Sequence, residues 1–134
     1  MPIAFFNTRS RSREEFRELH SGEVRMYTCG PTVYNYPHIG NYRAYVFEDL
    51  LRRFLKYRGF AVTQVMNLTD VDDKTIRGAR EKKVSLDEYT APFIAGFFAD
   101  LDALAIERAE HYPRATAHIP EMVALIRKLK EGKY

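Results

Sequence analysis

His38-Ile39-Gly40-Asn41 stands directly ahead of a long segment with helical apolar spacing. A helix start offers free backbone N–H groups and the positive end of the helix dipole, and both suit phosphate. His38 can donate hydrogen bonds to phosphate oxygens, and Gly40, with no side chain, lets a flat base lie against the backbone. Asn41 can donate in the same way or can simply cap the helix. On residue types alone, an ordinary loop accounts for these positions about equally well. Asp70, Asp72 and Asp73 with Lys74 form a tight acidic run that reads either as a magnesium site or as the cap of a helix starting near Thr75, and the cap is the favoured reading. Cys29 is the single cysteine, which excludes an intrachain disulfide. It lies in a C-G-P-T turn, an unusual place for a buried filler cysteine, and none of the four histidines (His20, His38, His111, His118) has metal-ligand spacing to it.

These residues need elements to hold them. Ala4 to Thr8 is a short strand, a basic turn follows, and Arg13 to Leu19 returns as a strand or short helix. Val24 to Thr28 alternates and is rich in β-formers, so it is a strand; Cys29 to Asn41 is a loop punctuated by Gly30, Pro31, Pro37 and Gly40. Tyr42 to Arg58 is a helix with Phe47, Leu50, Leu51, Phe54 and Leu55 as its inward stripe, Glu48, Asp49, Arg52, Arg53 and Lys56 mostly away from it, and Gly59 as its stop. Ala61 to Asn67 is the next strand. Strand, loop, helix, strand is a βαβ unit with a parallel sheet, in which ligands bind at the carboxyl ends of the strands. Both polar segments, Cys29 to Asn41 and Asn67 to Lys74, fall there. The remainder is helical: Thr75 to Lys83; a helix with a capping box at Ser85 and Glu88 that either kinks at Pro92 or begins later; and Pro120 to Lys130 with Met122, Val123, Ile126 and Leu129 inward.

A length of 134 residues suits one domain, and 46% hydrophobic residues argue against disorder. No apolar run reaches eighteen residues and the first residues lack a signal-peptide core, so the expectation is a soluble cytoplasmic protein with no membrane contact. The net charge of +3 permits an anionic partner without requiring one.

The stretch M-Y-T-C-G-P-T-V-Y-N-Y-P-H-I-G-N-Y-R, Met26 to Arg43, resembles the signature of the cysteinyl-tRNA synthetases, class I synthetases marked by an H-I-G-H segment whose last position here is Asn41. N-L-T-D-V-D-D-K (Asn67 to Lys74), P-R-A-T-A-H-I-P-E-M (Pro113 to Met122) and the opening F-N-T (Phe6 to Thr8) match as well, so the resemblance runs from Phe6 to Tyr134. It implies an α/β fold in which residues 1–134 form the first half of a Rossmann-like catalytic domain: a parallel sheet with one βαβ unit plus helices. It implies ATP-dependent activation of cysteine and transfer to tRNA, with His38 and Asn41 catalytic and His38, Ile39, Gly40 and Asn41 binding ATP, which enters with magnesium. By the same resemblance Gly30, Thr32 and Thr69 line the cysteine pocket, and Cys29 is one of several zinc ligands, the others lying past Tyr134. Arg43 is similar to a family residue near the nucleotide, or it pairs with an acid such as Glu48. Read without the resemblance, Cys29 is a free, partly buried thiol, Thr32 bonds within its turn and Thr69 caps a strand end.

No K-M-S-K-S-like loop, tRNA-contact region or anticodon domain is found in the 134 residues. The expectation is therefore a fragment without activity of its own, whose exposed half-fold face is open to association. Two alternatives are carried alongside: a ligase joining cysteine to an amino sugar, and a non-catalytic nucleotide-binding or interaction module.

Overall fold

The computed structural model describes residues 2–132. β1 (Ala4–Asn7) and β2 (Ser12–Glu15) form an antiparallel hairpin in which Ala4 faces Glu15 and Asn7 faces Ser12. β3 (Glu23–Thr28) and β4 (Ala61–Met66) pair in parallel, with Glu23 opposite Ala61 and Thr28 opposite Met66. The helix α1 (Ile39–Tyr57) connects them, which is the βαβ unit expected from the alternation of patterns. Beyond β4, two parallel bridges, Val65 to His111 and Leu68 to Arg114, add a further short stretch of chain to the sheet edge. α2 (Asp73–Lys82), α3 (Leu86–Ala103), a 3₁₀ turn (Ala115–His118) and α4 (Ile119–Glu131) complete the chain.

Local signals explain most element ends. Asp72 accepts from the amides of Lys74 and Thr75 and caps α2, so the acidic run acts at a helix start. Ser85 and Glu88 form the expected capping box of α3. Pro92 does not delay α3, which starts at Leu86 and runs to Ala103 with the proline inside it. Gly59, at φ +93°, follows the end of α1 in a conformation that glycine adopts without penalty.

Two apolar clusters hold the unit together. Tyr42 and Tyr45 of α1, Met66 and Leu68 at the end of β4, and Phe97 and Leu101 of α3 form the larger one, with Ile106 and Ala109. Val24, Leu55 and Val62 form the smaller, flanked by Phe16 of the hairpin and Phe60.

The structure corrects three expectations. α1 begins at Ile39, three residues earlier than expected, because His38 supplies the cap. Its buried face is Tyr42, Tyr45, Arg52 and Leu55, whereas Phe47, Leu50 and Phe54 are exposed. Both faces repeat with helical spacing, so periodicity alone does not choose between them. The choice falls to the partners: the Arg52 guanidinium can go inside because the Gln64 side chain (3.2 Å), the Arg108 carbonyl (2.7 Å) and the Glu110 carboxylate (2.5 Å) receive it. The third correction is α4, none of whose residues is buried; Met122, Val123, Ile126 and Leu129 are all exposed. Its neighbour is the 3₁₀ turn before it, and no sheet or helix face of the described residues covers its apolar stripe.

Candidate active site

The carboxyl ends of β3 and β4 carry the two polar segments, as a parallel sheet requires. Residues 31–33 are stitched to the segment after β4: the Thr69 amide donates to the Pro31 carbonyl (3.0 Å), and the Val33 amide donates to the Thr69 carbonyl (3.1 Å). A cavity of about 340 Å³ opens between this loop and the start of α1. Gly30, Thr32, His38 and Asn41 line it, so residues from both ends of the motif segment meet there.

The motif caps its own helix. The Gly40 amide donates to His38 Nδ1 (3.0 Å), and the His38 amide donates to Asn41 Oδ1 (3.0 Å). With Nδ1 accepting, a neutral His38 carries its proton on Nε2, the nitrogen left to donate to a ligand. Asn41 keeps its side-chain NH₂ for the same purpose. A Cβ on Gly40 would stand 2.8 Å from His38 Cε1 and 3.0 Å from Nδ1, so the missing side chain makes room for the imidazole. Gly40 also lines a second, open concavity with Arg43, Ala44 and Phe47, while Ile39 is 83% exposed and lines neither.

Thr69 is not among the residues lining the cavity, and its hydroxyl accepts from Asn67 Nδ2 (3.0 Å). Asn67, which the sequence placed in a motif but not in the site, is a hub: its Oδ1 also accepts from the Gly30 amide (3.2 Å) and the Tyr27 hydroxyl (3.0 Å). Its signal was its position at the end of a parallel strand, where a short amide side chain can reach two loops at once.

Cys29, directly after β3, is exposed and not the partly buried thiol expected without the resemblance. Among the described residues no group of three or more His, Cys, Asp or Glu side chains is placed to hold a metal ion, so Cys29 offers one thiol and not a site. Burial first, then the neighbouring Glu48 and Cys29, push the phenol of Tyr45, which lines the cavity, up to about 12. Burial also raises the Glu48 carboxyl, against a bond from Thr28, and leaves Glu48 Oε2 enclosed with no hydrogen-bond partner among the described residues.

Asp70, fully buried, ties the far side of the site together. It accepts from the Thr116 amide (2.9 Å) and hydroxyl (2.6 Å) and from Arg114 Nε (2.7 Å), while Arg114 reaches on to Asp87 of α3 (2.6 Å). Burial works against the charge, but the Thr116 and Arg114 bonds outweigh it and hold the Asp70 carboxyl below its usual range. A lowered folded-state pKa means that this stabilisation is present above the ordinary carboxylate range and is lost as pH falls through the folded-state value. Asp70→Asn is expected to cost about 2 kcal/mol at pH 7 in urea denaturation, and less in acid, where the wild-type carboxyl is itself protonated. An equal loss at pH 7 and in acid contradicts the assignment.

The family of tRNA synthetases class I (C), catalytic domain, matches residues 15–134. The cysteine–tRNA ligase of Protochlamydia amoebophila (strain UWE25) is 53% identical over 133 residues, covering 99% of this chain and 28% of that protein. That of Chlamydia pneumoniae is 57% identical over 129 residues, 96% of this chain and 27% of that protein, and that of Brachyspira hyodysenteriae (strain ATCC 49526 / WA1) is 52% identical over 130 residues, 97% and 27%. The chain thus belongs to the class I tRNA synthetase catalytic domain family, and its parallel βαβ unit agrees with that fold. It spans about a quarter of the length of the curated relatives it matches.

Proposed function

We propose that residues 1–134 are the amino-terminal half of the catalytic domain of a cysteine–tRNA ligase, working in the cytoplasm with ATP and magnesium, cysteine and tRNA. The observation that carries this reading is the cavity that gathers Gly30, Thr32, His38 and Asn41 at the start of α1. In the activation step a cysteine carboxylate oxygen attacks the α-phosphorus of ATP, the bond to the bridging oxygen breaks, and pyrophosphate leaves with the electron pair. Positioning and charge stabilisation dominate such a displacement. His38 Nε2–H and the Asn41 amide group are donors for phosphate oxygens, and the first turn of α1 adds its dipole. Neither side chain acts as nucleophile or base. The Gly30 and Thr32 wall receives the amino acid, while Thr69 fixes that wall through its backbone.

Zinc, implied by the family for discrimination against serine through the substrate sulfur, would need donors beyond those described here. Cys29 alone does not make the site.

Calorimetric titration of the chain with ATP, with cysteine, and with both tests the reading. Both ligands are expected to bind, with His38→Ala weakening ATP by about tenfold, the loss of one charge-assisted hydrogen bond, and leaving cysteine unchanged. No binding of either ligand at millimolar concentration, or full ATP affinity in the variant, counts against it.

A further inference from the structure

The loop that walls the cavity is held in two halves by different means. Residues 31–33 are hydrogen-bonded to the segment after β4, but residues 34–36 are held from behind by α2 and α3. The Tyr36 ring packs edge-on against Phe93 (centroids 5.1 Å apart) and lies over Gly96, where a Cβ would stand 2.7 Å from its Cε1 and 2.9 Å from its Cδ1. The Tyr34 carbonyl accepts from the Tyr89 hydroxyl (2.9 Å), and Lys74 Nζ sits 4.5 Å from the centre of the Tyr34 ring. The Tyr89 ring in turn crosses Gly78, where a Cβ would stand 2.2 Å from its Cζ and Oη.

Gly78 and Gly96 lie inside helices, and neither has the positive φ that calls for glycine. Each weakens its helix relative to alanine, and nothing in the local backbone offsets that. Both are occupied by a tyrosine ring that belongs to, or bonds to, the same three-residue stretch of the cavity wall.

We propose that Gly78 and Gly96 are notches that seat Tyr89 and Tyr36, making α2 and α3 the positioning elements of the cavity. Through them the helices fix residues 34–37, and with these the width of the pocket and the approach of His38 to its ligand. That the ligand is ATP with cysteine rests on the function proposed above; the notches themselves do not.

The test separates loop order from helix stability. In the ligand-free chain, Gly96→Ala is expected to speed hydrogen exchange at the amides of residues 34–38 by about tenfold, the equivalent of one lost ring contact and its local ordering. The control Ala99→Gly, at an exposed position of the same helix, lowers the denaturation midpoint without selectively freeing residues 34–38. In Gly96→Ala/Tyr36→Leu the aromatic carbons nearest the new methyl are gone, and exchange is expected to return towards wild type. ATP and cysteine affinities, titrated on the same samples, should follow the exchange and not the midpoint. Unchanged exchange at 34–38 in Gly96→Ala, or exchange in both single variants that simply tracks stability, overturns the proposal. Failure of the wild type to bind either ligand removes the functional reading but leaves the exchange result to decide the notches.

Discussion

Gly30→Ala is expected to destabilise the chain by about 3 kcal/mol or more, beyond the usual cost of overpacking. The added Cβ would stand 1.9 Å from the Asn67 carbonyl oxygen and 2.8 Å from Met66 Cγ. Two of the atoms nearest it, the oxygen and carbon of the Asn67 carbonyl, are backbone at the end of β4, so no rotamer change relieves the clash. The ends of β3 and β4 must part, and with them the Asn67 bonds to Gly30, Tyr27 and Thr69. Urea denaturation followed by far-UV circular dichroism measures the loss, and calorimetry should show the cavity's ligands lost with it. Asn67→Ala added to Gly30→Ala distinguishes the cause: it removes the side chain but not the carbonyl, so stability is not recovered. Recovery in the double variant shows that the side chain was the obstacle.

Arg52→Ala is expected to cost about 3 kcal/mol, from the packing of its buried stem and the hydrogen-bond acceptors it leaves unpaired. Arg52 is 3% exposed and joins α1 to β4 and to residues 107–110 through Gln64, the Arg108 carbonyl and Glu110. Its Nε lies 3.4 Å from Glu107 without a hydrogen bond, so that contact is electrostatic only. With the guanidinium gone, the two carboxylates turn to water, since their side chains are about one-third exposed. Gln64 is 3% exposed, so its side-chain oxygen has no such exit, and an unpaired buried acceptor costs about 1–3 kcal/mol. Arg52→Met keeps the aliphatic stem and should lose about 1 kcal/mol less than alanine. Both variants, compared by urea midpoints at unchanged slope, test whether the charge or the packing dominates. A loss below about 1 kcal/mol in Arg52→Ala is incompatible with the network described.

The sequence by itself determined what depends on near neighbours in the chain. The alternating run before Cys29, the helical run after Asn41 and the stop at Gly59 specify a βαβ unit, and that topology places the H-I-G-N and N-L-T-D segments at one end of the sheet. Capping by Asp72 and by Ser85 with Glu88 was legible for the same reason, because a cap is completed within four residues. The tertiary structure alone decided which face of α1 is buried. Phe47, Leu50 and Phe54 repeat as regularly as Tyr42, Tyr45, Arg52 and Leu55, and Gln64, the Arg108 carbonyl and the Glu110 carboxylate admit Arg52 to the interior. It likewise decided that α4 stays uncovered, that Asn67 joins two loops, and that Gly30, Gly78 and Gly96 are small because carbonyl or tyrosine atoms from distant residues occupy the space beside them. Spacing along a chain fixes local geometry, but burial, polar satisfaction and close approach depend on groups dozens of residues away, which no periodicity records.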